Sequence, residues 1–118
     1  MPETAAPSPI LTTEIKHFPH NVVLVLCHGR LVAGVDNILY TTVRELIPTN
    51  KRIILDLSDL QHTDSMGLGT LVRLYVAAKS SGSSLELMHL SKQIRHLLGL
   101  TNLFDVFTVI GENGVKFM

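Results

Sequence analysis

Apolar and polar positions along this chain follow two different periods, and the switches between them lay out its elements. "ILTTEIKHF", from Ile10 to Phe18, alternates loosely and breaks at Pro19, His20 and Asn21, after which "VVLVLCHG" is apolar at nearly every position. The break predicts a hairpin, and the unbroken run predicts a strand covered on both faces and ended by Gly29. Asp36 is placed to cap a helix from about Asn37 to Leu46. Leu39, Val43, Leu46 and Ile47 share one face of it, and Pro48 forces the chain out. "RIILDL", Arg52 to Leu57, reads as a second doubly covered strand. A helical period resumes at Met66 with Leu68, Leu71, Val72, Tyr75 and Ala78, and closes around Gly82. "LELMHL" (Leu85 to Leu90) is the next strand. Ser91 caps a short helix, "KQIRHLL", that Gly99 ends, and "VFTVI" (Val106 to Ile110) is a last strand.

In this order, β-β-α-β-α-β-α-β, strands separated by a helix must run parallel with right-handed crossovers, while the first hairpin is antiparallel. The expected fold class is α/β, a mixed, mostly parallel five-stranded sheet with helices packed against it.

Length narrows the organisation further. At 118 residues the chain supports one core, so residues 1–9, Pro-rich, read as a flexible tail ahead of a single domain over residues 10–118. Ten Lys plus Arg balance ten Asp plus Glu, which argues against nucleic acid as a partner. Cys27 is the single cysteine and lies inside an apolar run, so no internal disulfide or Cys-rich zinc site can form, and a reducing, cytoplasmic setting is expected. No apolar run approaches the roughly 20 residues of a membrane span, and the N-terminus lacks the marks of a signal peptide. Direct membrane insertion is not expected.

The candidate chemistry concentrates in "HTDSMGLGT", His62 to Thr70, where a strand feeds a helix. Such junctions collect functional groups because helix N-termini present free N–H groups there. Asp64 or Ser65 can cap the helix. Gly67 and Gly69 each cost up to about 1 kcal/mol against Ala in a helix; one reading of that cost is that they let the helix pack close to the sheet, the functional one is that they strip bulk from around Ser65, and both can hold at once. A nucleophile elbow would need Gly where Thr63 stands, and no Lys follows Gly69 as a phosphate-binding loop requires. Catalysis by Ser65 with His62 is not expected. The six histidines are scattered, His17 and His20 read as turn residues, and no metal or other cofactor is expected.

"RIILDLSDLQHTDSMGLGTLVRLY" resembles the core segment of STAS domains, the anti-sigma factor antagonists. In that family a strand of the form "vvlDls" is followed by D-S-x-G-L-G-x-L, a helix, a Gly-containing turn, a strand and then a short helix ending in a "lgLt.lf" pattern. Here those are Ile53 to Ser58, Asp64 to Leu71, Gly82, Leu85 to Leu90 and Leu97 to Phe107. The resemblance implies that Ser65 is phosphorylated by an anti-sigma factor that is itself a serine kinase. It implies that the unmodified domain binds that kinase and releases its sigma factor, and that a serine phosphatase resets the cycle. By the same match Asp64, Met66, Gly67, Leu68 and Gly69 line the docking surface, and Asp56 organises the neighbouring strand end. The flank differs from better-known members, with Arg30 and Val32 where acids often stand. The chain is thus expected to be a regulatory binding protein rather than an enzyme, and a monomer or weak dimer. The alternative is a scaffold subunit of a stressosome-like or transporter-associated assembly.

Overall fold

The computed structural model describes residues 11–110; the expected tail over residues 1–9 lies outside the described residues, as does Ile10. Strands β1 (Leu11–Phe18) and β2 (Val22–Leu31) form the hairpin. Its turn places His20 (φ 66°) and Asn21 (φ 60°) in the left-handed region, which these residue types enter more readily than most. Next come α1 (Asp36–Leu46), β3 (Arg52–Thr63), α2 (Ser65–Ser80), β4 (Ser84–Met88), α3 (Lys92–Leu100) and β5 (Thr108–Ile110). The five strands lie in the order β1-β2-β3-β4-β5. Only the first pair is antiparallel, so the expected mixed sheet is the one that forms.

The apolar runs of β2 and β3 have a simple cause. Val23, Val25, Cys27, Ile53, Leu55 and Leu57 face the helices and pack against Leu39 and Val43 of α1, Leu71 and Leu74 of α2, and Ile94 and Leu98 of α3. The intervening Val22, Leu24 and Ile54 are buried on the other side of the sheet with Ile110. Burial also lifts the Cys27 thiol pKa to about 12, with Asp56 adding to the effect.

Several boundaries differ from the expected ones. Gly29 does not end β2. It adopts φ 98° where the β2–β3 register shifts, so it absorbs an irregularity and the strand continues to Leu31. β3 likewise runs on beyond Leu57, pairing Asp59 with His28 and Leu60 with Gly29, and the extension of β2 adds the pairs Arg30 with His62 and Leu31 with Thr63. Asp36 is not the cap of α1. Val35 occupies that position without a side-chain bond, while Asp36 turns inward and accepts a hydrogen bond from the Thr70 hydroxyl at 2.9 Å. Pro48 does not end the helical path either, because a short 3-10 turn, Ile47–Thr49, follows α1. Met88 ends β4 early, as His89 enters the left-handed region (φ 60°). Gly99 lies within α3, and the left-handed turn falls instead on Asn102 (φ 59°). Phe107 stays out of β5 and packs edge-on against Tyr75, ring centres 5.6 Å apart.

On the helix-free face His28 bridges two neighbouring strands. Its Nδ1 lies 2.6 Å from Asp59 and its Nε2 2.8 Å from Glu14, so one ring ties β1, β2 and β3 together. The bond to Asp59, then that to Glu14, outweighs the opposing effect of desolvation and raises the His28 pKa. A pKa raised on folding contributes stability below the unfolded value of about 6.5 and loses it as pH rises through the folded value. Urea denaturation of His28→Gln against wild type should therefore show a larger deficit at pH 6 than at pH 9. An equal deficit at both would mean the protonated ring is not what joins the strands.

Candidate modification and docking site

β3 runs straight into α2 with one residue between them. That residue, Asp64, is extended (φ −108°, ψ −174°) and caps the helix, its Oδ1 accepting the Gly67 N–H at 2.9 Å. Its other oxygen accepts the Ala33 N–H at 3.0 Å, and its own N–H donates to the Leu31 carbonyl at 3.4 Å. One carboxylate thus joins the β2–α1 loop to the start of α2. The N–H of Ala33 first, then that of Gly67, holds the Asp64 pKa below the usual carboxylate range. Asp64→Ala should cost about 1 kcal/mol, the usual value of an N-cap, read as a lower urea midpoint; Asp64→Asn, which keeps an acceptor, should recover most of it.

Ser65, the first helical residue, is exposed, and among the described residues its hydroxyl has no hydrogen-bond partner. Met66 beside it is also exposed, at 55%. The remaining residues of the expected docking surface divide. Gly69 is exposed, and a Cβ built on it meets nothing within 4 Å. Leu68 is buried in the main core. Gly67 is buried as well, and a Cβ there would lie 2.1 Å from the Leu31 carbonyl oxygen. The reading that Gly67 clears the approach to Ser65 is therefore corrected: its missing side chain lets α2 sit directly on the end of β2.

The structure brings Arg30 to the same end of the sheet, exposed on β2 opposite His62 of β3. Asp56 it does not bring to Ser65. Asp56 is buried within β3, where its Oδ1 accepts the Ser58 N–H and contacts His89 Nδ1, both at 3.0 Å. Burial pushes its pKa up, but the bonds from Ser58 and His89 outweigh this and leave it below the usual range. Its place is the turn after β4, the neighbouring strand end.

Two contributors carry no signal in the sequence. Ala33 offers only its backbone N–H, so nothing in its side chain marks it. Gln93 of α3 accepts the Thr63 N–H at 3.1 Å and meets His62 Nδ1 at 2.8 Å, which fixes the last turn of β3 from the other flank. The contact engages one ring nitrogen of His62, Nδ1. No group of three His, Cys, Asp or Glu able to hold a metal ion occurs among the described residues.

The sheet order, the extended β3 and a capped helix bearing an exposed serine can now be set beside known proteins. The family model described as STAS domain matches residues 13–113. The chain belongs to the STAS domain family. This STAS chain is similar to the anti-sigma-B factor antagonist of Bacillus subtilis (strain 168), 36% identical over 62 residues, which make up 51% of the chain and 57% of that protein. The match thus spans little more than half of the relative's length. In fold it is similar to an anti-sigma factor antagonist from Mycobacterium paratuberculosis, with a TM-score of 0.77 and 19% identity over 92% of each chain. It is also similar to the Bacillus cell fate determinant SpoIIAA in its phosphorylated form, with a TM-score of 0.67 and 16% identity over 86% of this chain and 93% of that one. Among the described residues no helix of the STAS chain is long and apolar enough to cross a membrane.

Proposed function

We propose that this STAS chain is an anti-sigma factor antagonist that acts as a phosphorylation-switched binding module. Unmodified, it binds an anti-sigma factor serine kinase and releases the sigma factor; phosphorylated on Ser65 by that kinase, it lets go until a serine phosphatase resets it. The observation that carries this reading is Ser65 itself, exposed on the first turn of α2 and without a hydrogen-bond partner among the described residues, with the backbone beneath it tied down through Asp64. A kinase needs a hydroxyl it can reach, and a switch needs a site that changes charge without unfolding.

The local physics suits both demands. Phosphorylation adds about 1.5 to 2 negative charges at pH 7, and the first turn of a helix stabilises negative charge. In the free domain the modification is thus tolerated. In an interface the same charge must lose its water beside the partner, at a desolvation cost that a neutral hydroxyl does not carry. The alternative role for Ser65, a nucleophile activated by His62, is not favoured, since among the described residues the Ser65 hydroxyl makes no hydrogen bond to His62, whose Nδ1 meets Gln93 instead.

The test is intact-mass measurement after incubation with the candidate kinase and ATP. One added phosphate on wild type and none on Ser65→Ala is expected. Unchanged mass of wild type, or equal phosphate on both, overturns the proposal.

A further inference from the structure

The exposed stripe of α2 does not stop at Ser65. Met66, Gly69, Arg73, Val76 and Ser80 recur at helical spacing on the same side, all exposed. About 12 Å along the axis from Ser65, at about 1.5 Å per residue, this stripe meets α1 in an open groove of about 450 Å³. Val72, Val76 and Ala77 of α2 and Tyr40 and Arg44 of α1 line it, with Arg73 between them.

The charge of that groove has one sign. The Arg73 guanidinium lies 4.6 Å from the centre of the Tyr40 ring and that of Arg44 lies 6.0 Å from it, so one aromatic ring carries two cations. Arg73 forms an ion pair with the buried Asp36, Nη2 to Oδ2 3.6 Å, on its core side, so its charge is offset in part and its outer face stays open to the groove. Arg44 has no ion pair among the described residues. Arg73 is also prearranged. Its Nη2 donates to Thr70 at 3.0 Å while the ring supports its plane, so ordering this side chain in a complex costs less than for a free surface arginine.

We infer that the kinase docked on Ser65 continues along α2 and seats a carboxylate-bearing, otherwise apolar segment in the α1–α2 groove, its acid held by Arg73 and Arg44. This rests on the function proposed above and adds to it a contact that does not involve Ser65, so that release comes from the charge at Ser65 and not from the groove. A charge added at Ser65 lies more than a Debye length of about 8 Å away at physiological salt. The groove therefore keeps most of its attraction for the kinase when Ser65 is modified.

Binding of the phosphorylating kinase to wild type, Arg44→Glu, Arg73→Gln and Lys51→Glu, each also checked by thermal unfolding, decides this. Lys51 is exposed at the opposite end of the sheet, next to the start of β3, and reverses the same charge away from the groove. Arg44→Glu should weaken binding roughly tenfold or more, chiefly through slower association. Arg73→Gln should weaken it severalfold, and Lys51→Glu should leave it near wild type. If Arg44→Glu binds as tightly as Lys51→Glu while wild type still binds and is phosphorylated, the groove is not the docking site and the proposed function stands. If wild type does not bind the kinase, the proposed function falls and this inference with it.

Discussion

Gly67→Ala should cost about 3 kcal/mol or more, the upper end of overpacking effects, while Gly69→Ala, two residues on, should stabilise the domain by up to about 1 kcal/mol. A methyl group on Gly67 has no rotamer to escape into and would stand 2.1 Å from the Leu31 carbonyl oxygen, a backbone atom. Relief requires α2 to move off the end of β2. That motion stretches the Leu31 and Ala33 bonds to Asp64 together, because all of them cross the same gap. A Cβ on Gly69 meets nothing, so only the helical preference for Ala is left to act. Urea denaturation of the two variants separates the roles that glycine plays here. Equal destabilisation would show that the contact with Leu31 does not limit packing. If Gly69→Ala folds better yet loses the kinase, then open space at that position serves the partner rather than the fold.

This pair of glycines also shows where reading a sequence reaches its end. The periods of apolar residues carried the element order, the mixed sheet and the doubly covered strands, because burial on one face or two writes itself directly into local spacing. The position of Ser65 at a strand-to-helix junction was legible for the same reason. That a glycine here could let the helix pack close to the sheet was legible too; that Gly67 and not Gly69 does so was not, since Leu31 lies far off in the chain and contributes a carbonyl rather than a side chain. The length of β3 was hidden likewise: "SDLQHT" is polar enough to read as a loop, and it is strand because His28 and Gly29 pair with Asp59 and Leu60 and β2 carries on past Gly29 to pair with His62 and Thr63. Asp36 looked like a cap from its neighbours, yet Thr70 and Arg73 draw it inward from another helix. In each case tertiary contact overrode a local preference.

Ser65→Asp should bind the kinase at least tenfold more weakly than wild type, and Ser65→Ala should bind as wild type does but without release by ATP. Full phosphorylation should weaken binding on the order of a few hundredfold, the equivalent of about 3 to 4 kcal/mol. Aspartate falls short because it carries one charge where phosphoserine carries about 1.5 to 2 at pH 7. The cost arises in the complex and not in the free domain, where the first turn of α2 accepts negative charge and water surrounds the exposed side chain. Asp64 sharpens the effect. Both of its oxygens already accept backbone N–H groups of Ala33 and Gly67, so those donors are not free to neutralise a second anion. Thermal unfolding of the three proteins should then agree within a few degrees while their affinities for the kinase diverge. Equal affinities would remove charge from the mechanism. A large loss of stability in Ser65→Asp would instead place the switch in the fold, through loosening of the junction between β3 and α2.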